Sequence, residues 1–150
     1  MKTLQLHLSS FILLLVLSGV TAFPLQTEID FLFLHRDTFP DFLEQWVIQL
    51  YNNIHATPAV MLYGTDWLAF AHIIIALFFI PVFLDPVKHK VNLQIGMVAC
   101  LLIFPLAFVC GPVRNIPFFH QLIDCSFGLF GFLYLAYILK KINRLNTQTI

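Results

Sequence analysis

Charged residues are scarce in this sequence. Lys, Arg, Asp and Glu together make up 11% of its 150 residues, whereas soluble domains contain about 25%. Hydrophobic residues make up 59% and the mean hydropathy is +0.86, which is more apolar surface than a soluble fold of this length could bury. In a bilayer that surface faces lipid instead. The composition therefore predicts a single membrane domain over residues 1–150, with the lipid bilayer as its surroundings.

Sequence motifs for chemistry are also missing. The formal net charge is zero without a basic run, so nothing indicates a nucleic acid partner. No His-x-x-x-His or Cys-x-x-Cys spacing offers a metal site. No Ser/His/Asp order, Gly-rich phosphate loop or internal repeat is recognisable. We therefore predict no catalytic residues, no metal and no cofactor, and favour a protein that is not an enzyme.

Two weaker chemical alternatives remain. His72 and His120 lie on different predicted helices and could ligate a haem axially, although two histidines at different depths are weak support for a redox enzyme. Cys110 and Cys125 could form a disulfide in an oxidising compartment. We favour buried free thiols for these two and for Cys100.

Three long apolar runs dominate the chain, at Trp67–Leu84, Ile95–Cys110 and Leu122–Leu139. Crossing the hydrocarbon core takes about 20 residues of α-helix, and each run is long enough to span. The strands of a membrane barrel would alternate polar and apolar residues, and these runs do not. They predict transmembrane helices at about 67–84, 95–110 and 122–139.

The N-terminal apolar segment has two interpretations. Phe11–Gly19 follows Lys2, and Val20, Thr21 and Ala22 precede Phe23 as in a cleaved signal peptide. The apolar character can instead be extended over residues 4–23, which is long enough to span, and Ser18, Gly19 and Ala22 are small residues that suit helix packing. We favour a retained first helix, and hence a four-helix transmembrane bundle of the all-α class.

Basic residues are distributed unevenly among the connecting segments. If four helices alternate in direction, six cations lie on one side and only Arg36 and Arg114 on the other. The six are Lys2, Lys88, Lys90, Lys140, Lys141 and Arg144. Because cytoplasmic loops are enriched in Lys and Arg, both termini are predicted to face the cytoplasm.

The segment Pro24–Thr65 is the longest connection, and it contains an amphipathic pattern at residues 40–54. The apolar positions follow helical spacing: Phe39, Phe42, Leu43, Trp46, Val47, Leu50 and Ile54. Pro40 suits the first turn of a helix. The opposite face has no Lys or Arg for anionic lipid. We predict an interfacial helix across the outer ends of the bundle, in preference to a lid over a site.

Small and polar residues share single faces of the spanning helices. These faces contain Ala69, His72 and Ala76 in the second helix, Gly96, Cys100, Ile103, Ala107 and Cys110 in the third, and Asp124, Gly128, Gly131 and Leu135 in the fourth. Small residues allow close helix packing in lipid, so we expect these faces to contact each other. We expect Phe78, Phe79, Phe83, Phe127 and Phe130 to face mostly lipid, and Pro105 to kink the third helix.

A candidate polar cluster lies near the predicted outer boundary of the membrane. It comprises Asp66, His72, Arg114, His120 and Asp124. Ionisable groups at membrane depth are costly and indicate function by default, with Arg114 or His72 as the expected partner of Asp124. We favour the alternative that Asp66 starts a helix and that Arg114 and Asp124 form a structural ion pair.

Three segments resemble those of a set of small uncharacterised bacterial integral membrane proteins. They are Tyr63-Gly-Thr-Asp-Trp-Leu-Ala-Phe-Ala-His72, Cys110-Gly-Pro-Val-Arg-Asn-Ile-Pro117 and Leu122-Ile-Asp-Cys-Ser-Phe-Gly128. The resemblance covers residues 63–132 and extends to residues 21–28. No activity is assigned to that set, so the resemblance implies a bacterial inner membrane location and no site residues.

The function predicted from these features is that of an accessory or interaction component of a bacterial inner membrane, with other membrane proteins as partners. The alternative is a binding or transport site for a small ligand or a proton, formed by the polar cluster near the outer face. A membrane redox enzyme is a distant third.

The orientation can be tested with reporter fusions. Because Lys and Arg are retained on the cytoplasmic side, fusions after Lys90 and after Arg144 are expected to be cytoplasmic, and a fusion after Asn53 external. An external signal after Lys90 would reverse the orientation and the grouping of the polar residues.

Overall fold

The computed structural model describes residues 2–147, with side chains described for residues 2–144. This part of the chain is helical and contains no strand. The helices are α1 (Lys2–Ala22), α2 (Leu25–Leu34), a 3-10 turn (Arg36–Thr38), α3 (Asp41–Ala56), α4 (Ala59–Leu77), α5 (Ile80–Leu84), α6 (Lys90–Val113) and α7 (Phe118–Thr147).

Four segments are long and apolar enough to cross a membrane. They are Lys2–Ala22, Ala59–Leu84 (α4 and α5 together), Lys90–Val113 and Phe118–Arg144. The predicted fold class is confirmed: an all-α membrane protein with four candidate spanning helices and an amphipathic helix, α3, between the first two.

The second span begins earlier than the predicted start at Trp67. α4 starts at Ala59, directly after Pro58, whose carbonyl accepts a hydrogen bond from the amide of Met61 at 2.9 Å. The hydroxyl of Thr65 donates to the Leu62 carbonyl at 2.6 Å, so this polar side chain is satisfied within the helix. Asp66 therefore lies inside α4 and does not start it.

α4 and α5 are separated by a short break ahead of Pro81. A proline ring has no N–H for the carbonyl four residues earlier, here that of Leu77, and the next two residues, 78–79, form a turn. The side-chain amide of Asn92 donates to the Phe78 carbonyl at 2.6 Å. The break therefore keeps a hydrogen-bond partner for this carbonyl, as an apolar environment requires.

Phe79 corrects one prediction. It was expected to face lipid, but its side chain is only 5% exposed, and its ring meets that of Phe11 edge-on with centroids 4.9 Å apart. The prediction assumed one continuous helix through residues 67–84. The turn at residues 78–79 interrupts the helical spacing, so the side of the helix assigned to Phe79 was wrong. Phe78, Phe127 and Phe130 are exposed, as predicted.

The chain divides into two compact units, one formed by residues 2–12 and 77–147 and the other by residues 13–76. In the first unit, α6 packs against α7 through small residues. A methyl group at Gly128 would lie 2.7 Å from the carbonyl oxygen of Cys100, and one at Gly131 would lie 2.9 Å from the Cys100 sulfur. A methyl at Gly96 would similarly lie 2.9 Å from Leu135.

These pairings run antiparallel, since residues later in α6 meet residues earlier in α7. The predicted contact between the small faces of the third and fourth spans is thus confirmed at Gly96, Cys100, Gly128, Gly131 and Leu135. It does not extend to Cys110, which was assigned to the same face and is exposed. α6 also continues without interruption through Pro105 and Pro112 and ends at Val113.

The second unit contains the end of α1, the α2–α3 hairpin and most of α4. A methyl group at Gly19 would lie 2.6 Å from the carbonyl oxygen of Ala69 and 2.9 Å from Ile73. Gly19 therefore allows α1 to approach the backbone of α4 closely, as the small-residue patch predicted.

Two helical glycines provide a matched test of this packing. Gly128→Ala is expected to lower the free energy of unfolding by about 1–3 kcal/mol, because the new methyl overpacks the contact with α6. A methyl group at Gly64 would have no atom of the described residues within 4 Å, so Gly64→Ala is expected to be neutral or slightly stabilising. Thermal unfolding in detergent measures both changes. Equal melting temperatures for the two variants would contradict the close packing at Gly128.

Candidate functional site

The five residues of the predicted polar cluster are divided between the two units. Asp66 and His72 belong to residues 13–76, whereas Arg114, His120 and Asp124 belong to the other unit. Asp66 and His72 are both on α4, six residues apart and hence on different sides of the helix. The imidazole of His72 donates from Nδ1 to the Leu68 carbonyl at 3.0 Å.

Asp66 borders an open aromatic groove within its own unit. The groove has a volume of about 210 Å³ and is otherwise lined by Phe23, Tyr63, Trp67 and Phe70. The rings of Tyr63 and Trp67 meet edge-on with centroids 6.0 Å apart. The groove is apolar apart from this half-buried carboxylate.

In the other unit, Asp124 pairs with His120. The Nε2 atom of His120 lies 3.9 Å from a carboxylate oxygen of Asp124, and the two residues are one helical turn apart on α7. Arg114 is exposed, and no ion pair joins it to Asp124 in the described part of the chain. The expected structural pair of Arg114 and Asp124 is therefore replaced by a partly exposed pair within α7.

The turn between α6 and α7 is fixed by a residue that the sequence analysis missed. Gln121 is only 4% exposed, and its side-chain amide donates to the Ile116 carbonyl at 2.8 Å. Its side chain fills the space beside Gly111, where a methyl group would lie 2.5 Å from the Gln121 amide carbon. Asn115 reverses the chain with a φ of 56°. Two sequence features could have indicated this contact: Gly111 in the last turn of α6 and Gln121 in the first turn of α7.

In the part of the chain that the structure describes, the cysteines form neither a disulfide nor part of a metal-binding group. All three cysteines are free, with Cys125 buried and Cys110 exposed. Among the residues that the structure describes, no group of three or more His, Cys, Asp or Glu side chains could hold a metal ion. Burial as a free thiol thus holds for Cys125 and not for Cys110.

α3 corresponds to the predicted amphipathic helix, whereas α2 and its packing against α3 as a hairpin were not predicted. The rings of Phe33 and Tyr51 stack with centroids 3.9 Å apart, and His55 Nε2 lies 3.3 Å from a carboxylate oxygen of Asp30. Trp46 and Val47 on α3 are buried, as is Ile29 on α2. The apolar face of α3 is thus covered in part by protein.

Comparison of the chain with known protein families, with curated proteins and with solved structures finds no match.

Substitutions of the neighbouring residues His120 and Gln121 compare how much the His120–Asp124 pair and the buried Gln121 amide each stabilise this end of α7. His120→Ala is expected to change the free energy of unfolding by less than about 1 kcal/mol, because partly exposed ion pairs contribute little. Gln121→Ala is expected to cost about 1–3 kcal/mol, since it leaves a carbonyl unsatisfied and a gap beside Gly111. Unfolding in detergent compares them, and a larger loss for His120→Ala would contradict this assignment.

Proposed function

We propose that this chain is an integral protein of a bacterial cytoplasmic (inner) membrane that works without catalysis, as an accessory component that associates with other membrane proteins. The four candidate spans support membrane insertion. The distribution of Lys and Arg supports cytoplasmic termini, and on that orientation the α2–α3 hairpin is external.

The surface of the hairpin is the observation on which this proposal rests. Three large apolar side chains of the hairpin are 58–73% exposed: Phe31, Leu34 and Phe42. The hairpin lies outside the four candidate spans. Contact of a spanning helix with lipid therefore does not explain why these apolar side chains are exposed. Phe31 and Leu34 lie three residues apart on one face of α2, and contiguous exposed apolar surface marks interaction sites.

The charge of the hairpin defines the kind of partner. It contains five carboxylates and only one permanent cation, Arg36, whose guanidinium lies over the Phe33 ring at 4.4 Å. The carboxylates are Glu28, Asp30, Asp37, Asp41 and Glu44. A helix that binds anionic lipid would present Lys and Arg. An acidic, aromatic hairpin instead fits a protein partner with a basic and apolar surface.

Purification in mild detergent from cells of the natural source tests this function. The combined substitutions Phe31→Ser, Leu34→Ser and Phe42→Ser are expected to abolish co-purification of the partner while leaving the helix content unchanged, because these side chains are already exposed. The matched control is Gln49→Ser, Asn52→Ser and Asn53→Ser on the exposed polar face of α3, which is expected to retain the partner. Recovery of no partner by the unaltered chain, or undiminished recovery by the Phe31/Leu34/Phe42 variant, would contradict the proposal.

The pair of His120 and Asp124 favours the second candidate function, a binding or transport site for a proton or small ligand near the outer face. The imidazole and the carboxylate lie 3.9 Å apart, which is longer than a hydrogen bond, so on this alternative a bridging water or ligand carries the proton between them. Both groups are partly exposed. On this alternative, Asp124→Asn removes the cellular phenotype without changing stability, whereas the hairpin variant retains the phenotype.

A further inference from the structure

The first unit has a strongly basic end, formed by the start of α6 and the last turns of α7. The antiparallel contacts of Gly96 with Leu135 and of Cys100 with Gly131 place the first residue of α6, Lys90, at the same end as the last turns of α7. Those turns contain Lys140, Lys141 and Arg144.

Acidic residues do little to balance this end. In the described residues 77–147, the only carboxylates are Asp124, toward the opposite end of α7, and Asp85. Asp85 lies in the loop before α6, and its carboxylate accepts a hydrogen bond there from the backbone amide of Lys88 at 3.1 Å.

An open groove between α6 and α7 meets these cations. It has a volume of about 450 Å³ and is lined by Met97, Ala136, Leu139, Lys140, Asn143 and Arg144. The first three residues form an apolar wall within the spans, and the groove becomes polar toward the end of α7. Along α7, Ala136 and Arg144 are separated by roughly 12 Å of helical rise. The groove therefore combines an apolar stretch with a cationic end.

The two cations of the groove favour an anion between them. Lys140 and Arg144 are four residues apart on one face of α7, and like charges at this spacing repel each other. Neither forms an ion pair with a carboxylate in the described part of the chain. Lys141 differs, because its ammonium lies over the Tyr137 ring at 4.9 Å and does not line the groove.

We infer that this groove binds an anionic phospholipid of the surrounding membrane. The headgroup phosphate lies between Lys140 and Arg144, and one acyl chain lies along Met97, Ala136 and Leu139. A lipid matches both parts of the groove, since its alkyl chain meets the apolar wall and its negative charge meets the cations. This inference requires the spans but is independent of a partner for the α2–α3 hairpin.

Native mass spectrometry of the full chain in detergent tests the inference. Each of the two cations near the headgroup is expected to contribute about fivefold. The unaltered chain is therefore expected to bind phosphatidylglycerol about 25-fold more tightly than phosphatidylcholine with the same acyl chains. The double variant Lys140→Gln/Arg144→Gln is expected to lose this preference. The matched control Lys141→Gln removes an adjacent charge outside the groove and is expected to keep it.

Two further measurements distinguish a bound phospholipid from a bound inorganic anion. Ala136→Leu fills the apolar wall and is expected to weaken phosphatidylglycerol binding while all the cations remain. Inorganic phosphate at the same concentration is expected to cause no thermal stabilisation, whereas phosphatidylglycerol raises the melting temperature. Equal binding of both lipids, an equal loss with Lys141→Gln, unchanged binding by Ala136→Leu, or equal stabilisation by phosphate would each overturn the inference.

Discussion

The close antiparallel packing of α6 on α7 is the interaction on which the first unit depends. Lipid tails are as apolar as the helix surfaces, so burial from water does not hold two spanning helices together. Dispersion contacts must do so, and they require the helices to approach closely. Gly128 and Gly131 permit that approach to Cys100, which fixes the register of α6 and α7 and thereby defines the groove beside Met97 and the turn held by Gln121.

Polar groups within this unit follow the same constraint. Two backbone carbonyls at interruptions of the helices accept a hydrogen bond from a side chain: Asn92 donates to Phe78 at the break before Pro81, and Gln121 donates to Ile116 at the turn before α7. Charge is placed at the ends of the helices, with cations around Lys140 and the His120–Asp124 pair toward the other end of α7. The fold therefore separates apolar packing along the helices from chemistry at their ends.

Much of this architecture could be predicted from the sequence, because spans and small-residue faces depend on composition and spacing alone. The predicted contact of Gly128 with the face of Cys100 is such a case. α2 was missed because a ten-residue helix is marginal in isolation and here gains tertiary contacts, including the stack of Phe33 on Tyr51. Phe79 was misassigned because Pro81 interrupts the period. The partner of Asp124 was wrongly predicted to be Arg114, because the sequence shows which cations lie nearby along the chain but not which side chain is placed beside the carboxylate; in the structure this is His120.

A disulfide cross-link measures the register of α6 against α7 most directly. With Cys110 and Cys125 replaced by Ser, Gly131→Cys is expected to form a disulfide with Cys100 under mild oxidation, because a Cβ at position 131 lies 2.9 Å from the Cys100 sulfur. Phe130→Cys is the control, since Phe130 is 69% exposed and lies on another side of the helix. Intact mass after thiol alkylation is expected to show a protected pair for position 131 and two alkylated thiols for position 130. Equal protection at both positions, or none at position 131, would contradict the packing on which this account depends.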